Sequence, residues 1–463
     1  MKIGAFVLLT LLVTSVGAQT SFEQKQLEEE FEPLLAKNPT DAKAYFDYGR
    51  ALANLDEEKN YEKSIALMSR SVRIEEDFNR LFSLGTLCCR VGKFKESLAA
   101  YQQILEKRPS LIPVLYNSGY TLKLAGELDL AIELYKQIIA IQPTYEPAHL
   151  SLAFSYIQQG DFERGWKEHE WNLKKQGKYA ESLRELLRNN TLPGKTILLV
   201  PEGGIGDTIH FLRYAQRLHD QGAYVAVAVQ PSLVHLLARC HYIDLLIPLR
   251  SPTPRHDASA TLMSLPAIFS DTEKTIPRTI PYIFPDPARV QHWHEQLAQD
   301  TNFKIGICWQ PDVHNDVSRL PIARRGIPLS LFYKLGSTPG VSLYSLQKKE
   351  GLDQLRTVPS SVNLHVFDEA FDEEHGSFVD TAAVIQEMDL IISADTATAH
   401  IAGALGKKVW LLLPYVTDWR WLHNRTDSPW YPTMRIFKQP HPFDWQTIMD
   451  ELYTVFVKEL HKK

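Results

Sequence analysis

The chain has 463 residues, 44% hydrophobic and 23% charged, enough for two or three domains, each with its own core. Fifty Lys and Arg against fifty-five Asp and Glu leave a formal net charge of −5, which argues against a general nucleic-acid binder needing a basic surface for phosphates. No apolar run after the N-terminal segment is long enough to cross a bilayer.

In chain order, Met1-Lys2 precedes an apolar stretch over residues 3–16 and then Gly17 and Ala18. A short basic start, an apolar run and small residues form the pattern of a signal peptide, cleaved after Ala18. Residues 1–18 are therefore expected to direct export, to a periplasm, the exterior or a lumen; a cytoplasmic chain is the alternative. The four cysteines, Cys88, Cys89, Cys240 and Cys308, form neither a disulfide framework nor a zinc-ligand set. They read as small buried hydrophobes.

Residues 22–178 read as a helical repeat. Gly85 recurs as Gly119, and Gly92 recurs as Gly126 and Gly160. Tyr101 and Tyr135, Pro109 and Pro143, and Leu81 and Leu115 match at the same 34-residue offset. That period with helix-turn-helix texture is the tetratricopeptide signature. The glycine after the first helix suits a tight turn, and Gly85 suits close helix approach. Three regular copies and one degenerate copy are expected. Their concave groove is expected to bind a protein or peptide, with mere support of the following domain as the alternative.

A polar stretch over residues 176–193 separates the repeat from an α/β region. The run 196–200 reads as a buried parallel strand and leads into Pro201-Glu-Gly-Gly-Ile-Gly-Asp-Thr208, then a helix over 209–219 and a strand over 223–229. The spacing is not G-x-G-x-x-G, so no NAD site is inferred. After proline-rich loops over 250–287, a second series of strands is expected at 304–309, 342–346, 390–393 and 409–413, with helices at 330–335, 378–388 and 398–405. Two Rossmann-like lobes follow, at 192–288 and 303–463, with a ligand expected between them.

These residues resemble a known family. The segment Pro201–Arg213, the pair Ser377–Ala383 and Asp389–His400, the run Ile401–Trp410, and Pro414–Trp421 are similar to motifs of bacterial tetratricopeptide-repeat glycosyltransferases related to the heptosyltransferases. Met263–Pro266 and Tyr344–Lys348 also fit. The architecture is similar to that of the O-linked N-acetylglucosamine transferases. The resemblance implies a GT-B fold: an acceptor-facing first lobe, a donor-binding second lobe, and a last helix over 445–460 that crosses back to the first. It also implies metal-independent transfer from a nucleotide-diphosphate sugar, with no cofactor beyond that co-substrate.

Without a metal, donors and positive charge must stabilise the departing diphosphate. A helix N-terminus at Asp395, Thr396, Thr398 and His400 offers N–H groups and hydroxyls. Simple capping by Asp395 or Thr396 is the other reading. Lys348 and Gln347 follow a strand that ends at the cleft, and Arg319, Arg324 and Arg325 crowd a nearby loop. The acceptor hydroxyl needs a base. Asp207 is the candidate, with Gly203, Gly204 and Gly206 letting backbone approach a ligand; an N-cap role is its alternative. Asp372–Glu374 reads as a solvated acidic loop, His210 as a satisfied helix histidine, and Trp419, Trp421, Trp430 and Tyr431 as packing. The functional alternative is an inactive transferase-like domain serving as a binding scaffold.

Overall fold

A computed structural model of the chain describes residues 22–176, 178–312 and 320–460. The expected signal segment and Arg319 lie outside them. The chain forms two compact units that divide between Ala148 and His149, with Leu320–Ile322 grouped with the first. Among the described residues no helix is long and apolar enough to cross a membrane.

The first unit is a row of paired helices: α1 (residues 22–37), α2 (Ala42–Asn54), α3 (Glu58–Ile74), α4 (Phe78–Arg90), α5 (Phe94–Lys107), α6 (Ile112–Leu124) and α7 (Leu128–Ile141). Asp41 caps α2 and Asp77 caps α4, each carboxylate accepting first-turn N–H groups. Gly92 and Gly126 turn between the helices of a pair at φ +83° and +86°, as does Gly160 in the next pair at +87°. A Cβ on Gly85 would stand 2.6 Å from the Tyr101 ring, and one on Gly119 2.9 Å from the Tyr135 ring. The matched Gly and Tyr positions are therefore one repeated contact between paired helices.

The second unit starts at His149, within α8 (Glu146–Gln158), and continues with its pair α9 (Phe162–Gln176) and a further helix α10 (Lys178–Arg188). The stretch expected to be a polar separator is thus largely helical, and it buries Leu183 completely. A four-stranded parallel sheet follows in the order β3-β2-β1-β4, from β1 (Thr196–Val200), β2 (Tyr224–Val229), β3 (Leu245–Pro248) and β4 (Ala258–Thr261). β4 lies where only loops were expected: Ala-Ser-Ala-Thr has little strand propensity, yet Ala258 and Ala260 are buried where it pairs with β1. A six-stranded parallel sheet runs β10-β9-β8-β5-β6-β7, from β5 (Phe303–Cys308), β6 (Val341–Ser345), β7 (Leu364–Val366), β8 (Leu390–Ala394), β9 (Val409–Leu413) and β10 (Met434–Lys438).

The architecture is a tetratricopeptide-type solenoid followed by two Rossmann-like parallel-sheet lobes. One apolar core joins them within the second unit, drawing Ile157, Phe162, Trp166 and Leu183 from the helices, Ile197 and Leu199 from the first sheet, and Ile391 and Leu411 from the second. The final helix, Trp445–Leu460, buries Ile448, Met449, Leu452 and Phe456 in a separate core of the second lobe, with Ile305, Trp410 and Phe437. Its apolar face is therefore used on its own lobe, not on the first as expected.

Candidate functional site at the lobe junction

The helix after the glycine turn starts at Ile205, four residues before the expected position, and breaks into α11 (Ile205–Phe211) and α12 (Arg213–His219). Gly204 is the N-cap. Asp207 sits in the first turn, and its Oδ2 accepts the Gly204 N–H at 2.6 Å. Gly203 has φ +83°, and a Cβ there would lie 2.2 Å from Asp207 Oδ2, so the turn needs glycine twice over. The other Asp207 oxygen, Oδ1, pairs with Arg420 at 2.5 Å.

From the second lobe, β8 ends at Ala394 and the helix Ala397–Ala404 opens with Thr396 as N-cap. The Thr396 hydroxyl does not cap. It meets Ser393 Oγ at 3.1 Å and Cys308 Sγ at 3.6 Å. Thr398 is buried in the first turn. Asp395 is buried, accepts Trp421 Nε1 at 3.1 Å, and lies 3.7 Å from His400 Nε2. Burial raises its carboxyl above the usual range, against the nearby Arg325 charge. Arg325, half-buried, donates to the Asp395 carbonyl at 2.8 Å.

The two lobes meet here. A Cβ on Gly206 would stand 2.8 Å from His400 Cδ2, so α11 and the helix of His400 touch through a glycine. His400 Nδ1 pairs with Tyr431 OH at 2.9 Å, and its ring stacks on Trp421. Burial, helped by the Arg420 charge, pushes His400 down to about 3. His210 beside it is fully buried, and neither ring nitrogen has a hydrogen-bond partner among the described residues. Burial and then Arg213 hold it well below the usual histidine range. It is not the satisfied helix histidine expected.

Other candidates are engaged in structure. Gln347 Oε1 accepts from Trp309 N at 3.0 Å and Gln310 N at 2.9 Å, while its Nε2 donates to Gln310 O at 2.8 Å, tying the ends of β5 and β6. Lys348 Nζ donates to Phe371 O at 2.6 Å and lies 3.4 Å from Glu373. Asp372, expected to be solvated, is buried and accepts from Thr381 N and Oγ1. Burial raises its carboxyl, despite those bonds. Trp421, Trp430 and Tyr431 are packed in the core, as is Trp419, which stacks on Phe154.

Sequence reading missed Arg420 and Arg213, both buried at this junction. Their signal was only a position at the ends of quoted motifs, because the partners lie far away along the chain.

The buried histidines set a pH dependence. Each binds a proton in the unfolded chain near pH 6.5 and resists it when folded, so stability is full above that pH and is lost as pH falls towards the folded value. Asp395 and Asp372, with raised carboxyls, act in the opposite sense above about pH 4, and buried His169, also held low, adds to the histidine effect. Between pH 6.5 and 5, stability is expected to fall by about 1.4 kcal/mol per pH unit for each histidine. His210→Leu strands no hydrogen-bond partner and is expected to flatten the slope by about one histidine's share. Urea midpoints at pH 7.5, 6 and 5 check this; equal slopes in parent and variant refute it.

Residues 122–165 match the tetratricopeptide repeat family, covering α8 and the start of α9 as well as α7. Over 125 residues the chain is 30% identical to photosystem I assembly protein Ycf3 of Acaryochloris marina, across 75% of that protein and 23% of this chain. This chain is a tetratricopeptide-repeat protein. It is also 22% identical over 406 residues to protein FlbA of Caulobacter vibrioides, a match covering 80% of this chain. The chain spans 66% of the length of that relative. Among solved structures, a crystal structure of MamA aligns over 35% of this chain and 94% of its own, with 19% identity and a TM-score of 0.30. The repeats point to a protein-interaction role.

Proposed function

We propose that the tetratricopeptide-repeat chain is a glycosyltransferase moving a sugar from a nucleotide-diphosphate donor to a hydroxyl on a protein or peptide held by the repeat groove. One observation carries this reading. The glycine turn with Asp207 and the helix start at Asp395–His400 leave the carboxyl ends of two parallel sheets and converge, Gly206 against His400 and Asp207 against Arg420. Ligands of open α/β folds bind at such strand ends, and a helix start favours phosphate. In this reading Asp207 receives the acceptor proton, and Thr396, Thr398 and Arg325 face the diphosphate. Export directed by residues 1–18 remains part of the proposal, checked by N-terminal sequencing of the mature chain.

A second reading, a binding scaffold without turnover, draws on a different observation. Asp207, Gln347 and Lys348 are each held by hydrogen bonds or ion pairs to other residues of the chain.

A thermal-shift screen with UDP, GDP, ADP and CDP and their sugars separates the two, because a ligand that binds only the folded state raises its stability. The transfer reading expects a shift with one nucleotide family. Thr396→Val with Thr398→Val should weaken that shift. Asp207→Asn should keep it while slowing sugar transfer on the order of 100-fold or more. No shift with any of them, from a cooperatively melting sample, supports the scaffold.

A further inference from the structure

We propose that Arg420 is a positioning residue for Asp207, and that the last repeat pair, α8 and α9, sets it by clamping the neighbouring Trp419. The catalytic half of this inference rests on the transfer reading; the mechanical half does not.

The Arg420 side chain is 9% exposed, and both of its terminal nitrogens are paired with carboxylates. Nη2 holds Asp207 Oδ1 at 2.5 Å, and Nη1 holds Asp418 Oδ1 at 2.7 Å. The guanidinium lies 4.7 Å from the centre of the Trp419 ring and 5.3 Å from that of Phe211 on α11. The planar, always-charged fork presents Nη1 to one carboxylate and Nη2 to the other in a fixed geometry that a flexible lysine point charge does not reproduce. Burial opposes that charge, and Asp418 and Asp207 sustain it.

The loop carrying Arg420 does not hold itself. Its short 3-10 turn, Trp419–Trp421, ends at Leu422 with φ +57°, a backbone conformation costly for leucine that persists only when the surroundings impose it. The surroundings here are the last repeat. Trp419 stacks on Phe154 of α8, with ring centres 5.5 Å apart and planes 15° apart, and meets Trp166 of α9 edge-on at 6.0 Å. His423 N donates to Gln158 O of α8 at 2.8 Å. Trp166 is itself pinned by a 2.7 Å bond from Nε1 to the Asp271 carbonyl. Trp419 also lies against Phe211, with ring centres 6.2 Å apart, four residues along α11 from Asp207. The path from α8 to the candidate base therefore runs Phe154, Trp419, Arg420, Asp207. A partner that shifts α8 would shift the base.

The test uses the full chain with Phe154→Leu, Phe154→Tyr, Asp207→Asn, and the Phe154→Leu/Asp207→Asn double variant, each also in an Arg420→Lys background. Distant, uncoupled changes act multiplicatively on the unfolding equilibrium to within about twofold. The clamp predicts that Phe154→Leu with Asp207→Asn shifts that equilibrium at least about fivefold less than the product of the single shifts, and that Arg420→Lys removes this coupling. Multiplicative behaviour to within twofold overturns the proposal. For the catalytic half, nucleoside-diphosphate release from UDP-, GDP-, ADP- and CDP-sugars is measured. Phe154→Leu should lower kcat tenfold or more with KM within twofold, and Phe154→Tyr, which keeps the ring, should restore it. An unchanged kcat in Phe154→Leu overturns that half. A parent that turns over no donor, with the coupling intact, sinks the transfer reading and leaves the clamp standing.

Discussion

Replacing Arg213 with leucine is expected to cost on the order of 3–5 kcal/mol of folding stability, a large share of what holds a domain together. Arg213 is 3% exposed at the start of α12. Its Nε donates to the His210 carbonyl at 2.8 Å, Nη1 to the carbonyls of Pro277 at 3.1 Å and Trp430, and Nη2 to Tyr282 OH at 3.0 Å. The guanidinium also stands 4.5 Å from the centre of the Tyr431 ring and 4.8 Å from that of Tyr282. It thus ties the first lobe, the segment leading out of it, and the second lobe with one side chain. Leucine would leave the buried His210 and Trp430 carbonyls and the half-buried Pro277 carbonyl without that donor, each costing about 1–3 kcal/mol if no water reaches it, while the Tyr282 hydroxyl keeps Ile209 O and Tyr431 OH. Lysine restores charge but not the fork, so Arg213→Lys should recover only part of the loss. Urea unfolding of parent and both variants at pH 7.5 measures this. A leucine variant within about 1 kcal/mol of the parent would mean the carbonyls find other partners.

What the sequence disclosed follows from where each interaction lies along the chain. The repeat was legible because its determinants are local and recur: Gly85 faces Tyr101 and Gly119 faces Tyr135 at one fixed offset. Strands such as β1 and β9 were legible because a strand buried on both faces is a continuous apolar run. β4 was not, since its small residues are buried only through pairing with β1. The start of α11 was placed late because its cap is a glycine, and the reciprocal bond comes from Asp207, the residue singled out for chemistry. Asp207 serves its own helix and also faces Arg420, so the capping and functional readings were not exclusive. Asp372 looked solvated because it sits in an acidic run, but one turn of the following helix folds Thr381 onto it. Arg213 and Arg420 act on partners brought near only by tertiary folding, which no local pattern announces.

The core shared by α8–α10 and both lobes fixes where the chain can be cut. A fragment starting at residue 192, just before β1, looks like a complete α/β domain in sequence, yet it lacks α8, α9 and α10. Those helices bring Ile157, Phe162, Trp166 and Leu183 into the core shared by both lobes. Burying each is worth about 1.5–3 kcal/mol, so the four together contribute roughly 6–12 kcal/mol, comparable to the whole stability of a typical domain. The fragment would also lose the Phe154 stack on Trp419 and the bond from Trp166 to Asp271. Residues 192–463 are therefore expected to be insoluble or to lack a cooperative melt. Residues 146–463, which keep α8 onward, should melt cooperatively within several degrees of the full chain. Expressing both fragments and recording their thermal unfolding decides the matter. A cooperative transition from the shorter fragment near that of the full chain would show that the last repeat decorates the α/β unit. Its failure beside a folded longer fragment would show that the repeat's final helices belong to that unit's core.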